Sequence, residues 1–281
     1  NQGVDFVGAR SYIVRFEQPV SQEKIQSNLI QVLGNAEVKT FGSDNQLKIT
    51  TNYKVDTDSS DVDDEINNIL FTDLNEFMPE NIAYEDFVVN GDENKQAGVM
   101  SSIKVGPTIA DDIKKNSFYA VFGSLIIVFL YILLRFKDWQ FSLGAVSAVF
   151  HDVLVVLGIF SLTYSFMPFN MEINQAFIAA VLTVIGYSLN DTVVVFDRIR
   201  EYRNINTSWE LPRVVDSALN STLSRTLNTS FTTLVVLISI FVFGGESIRG
   251  FMFALIVGVL IGTYSSVFVA TPVMYDTLKK K

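Results

Sequence analysis

The sequence predicts a membrane α-helical bundle with five visible spans, preceded by a small α+β domain of ferredoxin-like order. Three observations predict it. Apolar residues make up 49% of the 281 residues against 18% charged, and a mean hydropathy of +0.31 is too high for an ordinary soluble domain. Charge is divided by position: residues 1–116 hold twenty Asp and Glu against ten Lys and Arg, whereas 117–281 hold ten against eleven. From Ser117 onward, apolar runs of 18 to 27 residues recur between short polar breaks. Each is long enough to cross about 30 Å of hydrocarbon.

The first 105 residues read as an acidic domain with alternating strands and helices. Arg10 to Phe16 alternates at period two, a strand pattern. Ser21 to Leu33 places Ile25, Leu29, Ile30 and Leu33 at helical spacing, with Ser21 as the N-cap ahead of Lys24. Glu37 to Phe41 and Gln46 to Thr51 form a strand pair turning at Gly42-Ser43-Asp44-Asn45. Ser59 to Phe77 follows as an acidic-faced helix and Tyr84 to Val89 as a further strand, which gives the order β-α-β-β-α-β of a split-βαβ domain. Gly106-Pro107 breaks the chain, so 106–116 is a connector in which Thr108 to Lys115 begins a helix.

The spans are expected at 117–134, 141–167, 173–196, 226–243 and 250–275, within a bundle covering 117–276. Soluble helices would need polar faces at helical period, and these segments have none. Residues 198–224 are polar enough to stay in water or at the interface. With Val214, Val215, Ala218 and Leu219 on one side they read as a short amphipathic helix or a solvated connector. A basic tail, 277–281, ends the chain.

Lys and Arg accumulate in cytoplasmic loops. Arg135 and Lys137, the arginines from Arg198 to Arg225, and Lys279 to Lys281 therefore mark the inner side, although Lys114 and Lys115 run against the trend. Five spans with an inside C-terminus put the first domain outside. The sequence begins Asn-Gln-Gly with no means of exporting that domain, so a sixth span is expected upstream, in a longer polypeptide.

Composition excludes several chemistries. The absence of cysteine removes disulfides, thiolate metal sites, iron–sulfur clusters and cysteine nucleophiles. A single histidine, His151, leaves no multi-histidine metal centre, so no metal site and no catalytic residues are assigned. The acidic domain and the thinly spread cations exclude nucleic acid as a partner.

Three ionisable side chains lie clearly within the spans: His151, Asp152 and Asp191. Such groups are costly in hydrocarbon unless paired or hydrated, and they tend to face the bundle interior. Asp191 lies about 10 Å deep, counting seven residues back from Arg198 at about 1.5 Å each, among Tyr187, Ser188, Asn190 and Thr192. Arg225, in the polar stretch Ser221 to Ser230 that also holds Thr226, can reach upward as its partner or serve as an interfacial anchor. His151 and Asp152 point about 100° apart on a helix and make no compact two-ligand site. Asp152 suits a supporting proton position or an interhelical hydrogen bond, and His151 the hydrogen bond. Gly258 and Gly262 belong to a ridge of small residues at every fourth position from Ala254 to Ala270, a helix-packing surface.

These stretches resemble the SecF family, whose members partner SecD in the SecDF complex of bacterial protein export. The resemblance is carried by Gly3-Val4-Asp5-Phe6-Val7-Gly8-Ala9, Val105-Gly106-Pro107, Val184 to Glu201 with Gly186-Tyr187-Ser188-Leu189-Asn190-Asp191, Ser224-Arg225-Thr226-Leu227-Asn228-Thr229-Ser230, and Phe243-Gly244-Gly245-Glu246-Ser247-Ile248-Arg249-Gly250-Phe251. It covers nearly the entire chain and lacks only the family's first span. It implies a factor of the resistance-nodulation-division superfamily, driven by the proton gradient with no cofactor, in the bacterial cytoplasmic (inner) membrane. Asp191 would be the proton-pathway carboxylate and Arg225 its basic partner, with Asn190, Ser188, Thr226, Asp152 and His151 as a supporting polar seam. SecD, fused or separate, the SecYEG translocon and an unfolded preprotein would be the partners. No Gly-rich Lys-Ser/Thr loop for ATP is present. A small-molecule or lipid exporter of the same superfamily and a passive translocon scaffold are the rival readings; the first usually needs a larger outer region.

Overall fold

A computed structural model of the protein describes residues 2–57, 59–80, 82–88, 95–167 and 169–279. The chain divides into two compact units, Asn1–Asn116 with Met167–Gln175, and Ser117–Phe166 with Ala176–Lys281.

The first unit contains α1 (Val4–Val7), β1 (Ala9–Arg15), α2 (Gln22–Leu33), β2 (Glu37–Phe41), β3 (Ser43–Thr51), α3 (Ser60–Leu74), the single turn α4 (Tyr84–Phe87) and β4 (Gly98–Val105). The four strands form an antiparallel sheet in the order β2-β3-β1-β4. Period two places Tyr12 and Val14 of β1 beside Leu47 and Ile49 of β3 on one face. Ile25, Leu29 and Leu33 of α2 and Val62, Ile66, Leu70 and Leu74 of α3 close over that face to make the core. Ser21 caps α2 by accepting from the Lys24 amide at 3.5 Å, and Ser59 caps α3 through the Asp61 amide at 3.2 Å.

Two local expectations change. The last strand is Gly98–Val105, not Tyr84 to Val89, although the βαββαβ order stands. Tyr84–Phe87 is a helical turn that plugs the core with fully buried Phe87, and Val89 lies outside the described residues. Gly98 comes so close to the Phe87 backbone, at φ +111°, that a side chain there would collide with it. The β2–β3 hairpin is also tighter than expected: β3 begins at Ser43, and Gly42 alone takes positive φ.

The sheet face opposite the helices carries Lys48, whose Nζ donates to Glu172 Oε2 at 2.5 Å, with only 13% and 7% of the two side chains exposed. The segment Met167–Gln175 is held to this unit at two further points. Gln2 and Ile173 form a parallel β-bridge, in which the Gly3 amide donates to the Ile173 carbonyl at 2.9 Å, and Asp5 accepts from the Gln175 amide at 3.1 Å. Removing one member of a buried ion pair leaves the other unpaired, which costs about 3–5 kcal/mol for full burial. Lys48→Met is therefore expected to speed amide exchange at Gly3 and Gln175 by at least tenfold. The double variant Lys48→Met/Glu172→Gln should recover most of the protection, and unchanged exchange in the single variant would show that the pair does not hold the segment.

The second unit holds five helices long and apolar enough to cross a membrane. They are α5 (Pro107–Phe136), α6 (Trp139–Thr163), α7 (Gln175–Ile205), α8 (Leu211–Phe243) and a fifth span. That span is built of α9 (Glu246–Ser265), a π-helical turn (Ser266–Ala270) and α10 (Thr271–Lys279). Pro107 opens α5, which needs no donor from its first turn, so residues 107–116 of the expected connector belong to the same helix as the first span. The stretch 198–224 is not a separate amphipathic helix. Its first part completes α7 and its last part, from Leu211, begins α8. Pro212 starts α8, and no Gly or Pro interrupts the chain from Arg213 to Phe243. Val214, Val215 and Ala218 are buried on this extension, as their spacing predicts. The basic tail begins within α10, and Lys280 and Lys281 lie outside the described residues.

Candidate functional site

The site begins with the one-sidedness of α7. Val184, Ser188, Asp191, Thr192, Val195 and Ile199 recur at intervals of three and four, and all are buried. Asp191 is 4% exposed. From α8, Ser230 and Arg225 both act on it electrostatically, while among the described residues its Oδ2 has no hydrogen-bond partner. The Ser230 hydroxyl also meets Thr263 Oγ1 of α9 at 2.5 Å and accepts from Tyr187 Oη at 3.3 Å. Asp191 thus sits where three helices share a polar contact.

Arg225 is exposed, and among the described residues it forms no ion pair with Asp191. It lines an open polar crevice of about 430 Å³ between α7 and α8, with Asp197, Arg198, Glu201, Ser221 and Thr222. The expected direct pair is accordingly a through-space one here, and Arg225 lines a space large enough for several waters.

A second carboxyl group joins another set of helices. Asp152 on α6 is fully buried, and its Oδ2 accepts from Ser188 of α7 at 2.6 Å and from Ser265 of α9 at 2.8 Å. Oδ1 faces His151 Nδ1 at 3.1 Å. One turn along α7, Thr192 meets Ser266 at 3.0 Å. Polar side chains therefore link α6, α7, α8 and α9 pairwise inside an otherwise apolar bundle, where each such bond contributes about 1 kcal/mol.

Small residues permit that closeness. A Cβ on Gly258 of α9 would overlap Val184 of α7, and one on Gly262 would lie 3.0 Å from the Ser188 Cβ. On α6, a Cβ at Gly144 would meet the Ala270 carbonyl of the π turn at 2.5 Å.

This arrangement has relatives. The family described as protein export membrane protein SecD/SecF, C-terminal, matches residues 87–280. The protein translocase subunit SecF of Rhodothermus marinus is 45% identical over 275 residues, covering 98% of this chain and 82% of that one. The chain belongs to the SecF family. It is also similar, with 30% identity and a TM-score of 0.79, to the crystal structure of SecDF, a translocon-associated membrane protein, from Thermus thermophilus. All of this chain is covered, but it spans only 35% of that SecDF chain. A SecDF structure in a super-membrane-facing form gives a TM-score of 0.63 at the same identity. With its five apolar helices, this SecF-family chain is a multi-pass membrane protein.

Of the residues that the sequence nominates in this SecF-family chain, Asp191, Ser188, Asp152 and Thr226 are buried in the bundle. Ser188 serves Asp152, not Asp191, and among the described residues the Thr226 hydroxyl has no hydrogen-bond partner. Asn190 is exposed, because the residue before Asp191 points about 100° away around the helix. His151 is a bridge between Asp152 and the edge of the unit, with 34% of its side chain exposed. Ser230, Thr263 and Ser265 complete the polar belt without having been nominated. Their signal is a polar residue inside an apolar span, which is weak because a lone hydroxyl can bond back to its own helix, as Thr263 also does to Val259 O at 2.8 Å.

Proposed function

We propose that this chain is part of a proton-motive-force-driven accessory factor of the Sec translocon, one that promotes preprotein export and release on the outer side of the membrane. Asp191 carries the assignment: a carboxyl group 4% exposed within apolar helices, under the electrostatic influence of Arg225, which lines an open polar crevice. An ionised carboxylate with one unbonded oxygen is costly in such surroundings. The site therefore favours two arrangements, one with a proton on Asp191 and one with Asp191 drawn onto Arg225. Exchange between them shifts side chains on α7 and α8, and gives the bundle two states that a proton can select. Each proton descending the membrane potential supplies about 2.3 kcal/mol per 100 mV, enough for a few protons to drive a transition whose gap is of that order.

The description of SecDF as translocon-associated supports the SecYEG translocon as the assembly served, and its name supports SecD as the partner; the cargo inferred for it is an unfolded preprotein. The basic residues after the first span, around the α7–α8 connection and at the C-terminus support a cytoplasmic placement of those ends. The acidic first unit would then lie outside the cytoplasmic membrane of a bacterium. The work is transport and not catalysis of a covalent change, and the proton gradient takes the place of a cofactor.

The decisive comparison is preprotein export in cells bearing or lacking the chain, with and without an ionophore. The export advantage conferred by the chain is expected to fall to about one when the gradient is collapsed. An advantage that survives collapse would instead identify a passive scaffold.

A further inference from the structure

We propose that Asp152 is a second proton-binding residue of the transport cycle, that His151 delivers its proton, and that its charge sets the geometry of the fifth span at the π-helical turn. This rests on the proton-driven reading above and gives a defined step to a carboxyl group that the reading leaves as a supporting polar position. Asp152 is fully buried and meets polar groups of three helices: the hydroxyls of Ser188 of α7 and Ser265 of α9 donate to it, and His151 Nδ1 of α6 lies 3.1 Å from its Oδ1. Both hydroxyls donate to a single carboxyl oxygen, at 2.6 and 2.8 Å, and such bonds to an ionised carboxylate are about twice as strong as neutral ones. In its ionised form Asp152 therefore clasps α7 and α9 to α6.

The Ser265 hydroxyl has a second acceptor at hand. It lies 3.2 Å from the Gly262 carbonyl of its own helix, so it can bond across to α6 or back along α9. The π turn starts at the next residue, Ser266, whose carbonyl also accepts from Thr271 Oγ1 at 2.9 Å. Such turns interrupt the regular ladder and often sit at functional positions. The two-position hydroxyl thus lies directly before the only π-helical segment among the described residues.

The proton step balances within the pair. A proton taken at His151 Nε2 gives an imidazolium, whose Nδ1 proton passes over 3.1 Å to Asp152 Oδ1. The products are an imidazole protonated on Nε2 alone and a neutral carboxylic acid, which donates back to Nδ1. Oδ2 is then a carbonyl oxygen and a weaker acceptor, so the Ser265 hydroxyl turns to Gly262 and α9 is released from α6. With 34% of its side chain exposed, His151 is the member of the pair that reaches the surface of the unit. The other groups to consider are few. Tyr264 of α9 lies beside the imidazole at 6.4 Å between ring centroids, and Asp191 lies three residues beyond Ser188 on α7. The π turn carries no charge, and α10, packed on α6, bears Asp276 and Lys279 at its end.

The test uses the complete translocation complex in liposomes, comparing wild type with Asp152→Asn, Asp191→Asn and Ser265→Ala. A side-chain amide takes up no proton, so Asp152→Asn is expected to lower gradient-driven export at least about tenfold while the complex still assembles. Infrared difference spectra on acidification should show a carboxylic C=O band that persists in Asp191→Asn, vanishes in Asp152→Asn and shifts in Ser265→Ala. Should Asp152→Asn fail to assemble, Ser265→Ala keeps the carboxyl group, and its export pH profile should be displaced from the wild-type one. Wild-type export by Asp152→Asn, an unmoved profile in Ser265→Ala, or no Asp152 band overturns the proposal. If Asp191→Asn is inactive in the same series, the broader reading stands without Asp152; if Asp191→Asn exports normally, it is the broader reading that fails.

Discussion

Asp191→Asn is expected to remove the gradient-driven part of export while leaving the bundle folded. The amide has the shape of the carboxyl group and keeps an oxygen for the Ser230 hydroxyl, so packing among α7, α8 and α9 is preserved. It cannot accept a proton, and it presents no charge to Arg225. At a potential of 100 mV, loss of one coupled proton forfeits about 2.3 kcal/mol, a factor of roughly 50 in the equilibrium that the gradient biases. Export measured in vesicles with an imposed gradient should fall by that order and become insensitive to an ionophore. Asp191→Glu, which titrates, should keep part of the effect. Arg225→Lys should outperform Arg225→Met, since a lysine in the crevice still attracts the carboxylate. Wild-type rates in Asp191→Asn would remove the residue from the mechanism.

The parts of this site that were legible from sequence are those with a large cost attached. A charge in an apolar run is expensive anywhere, so Asp191, Asp152 and His151 are conspicuous before any coordinates. Gly258 and Gly262 are legible as a pair because close helix approach needs small residues at one period. Which hydroxyl serves which carboxylate is not legible, since it depends on the rotation of each helix about its axis. Ser188 stands three residues from Asp191 yet bonds Asp152 on another helix, and Asn190, its immediate neighbour, turns away. The outer unit teaches the same distinction. Strong period-two and helical patterns locate β1, α2, β2, β3 and α3. Gly98–Val105 alternates poorly and becomes a strand through its pairing with β1, with Ala9 opposite Val105 and Arg15 opposite Gly98. Propensity also fails to divide 198–224, because a helix continues wherever no residue breaks it, as α8 does.

Gly258→Val should be the most damaging single change in the bundle that touches no ionisable group. A Cβ at this position overlaps the Val184 side chain, and Val184 lies on the buried face of α7 one turn before Ser188. Overpacking of this kind costs about 1–3 kcal/mol where neighbours can yield, and more where a helix must move as a body. Here the helix that must move is the one whose Ser188 bonds Asp152 and whose Thr192 bonds Ser266, so the strain falls on the polar belt as well. Thermal unfolding of the purified complex in detergent should shift down by several degrees, and export should fall with it. Gly186 supplies the control, since it lies on α7 with nothing within 4 Å of an added Cβ, and Gly186→Ala should leave the unfolding temperature where it is or raise it. Gly258→Ala with Val184→Ala trades volume across the contact and should recover most of the stability lost in Gly258→Ala alone. A double variant no more stable than the single one would mean that the two helices do not meet at this pair, and the placement of Ser188 against Asp152 would fall with it.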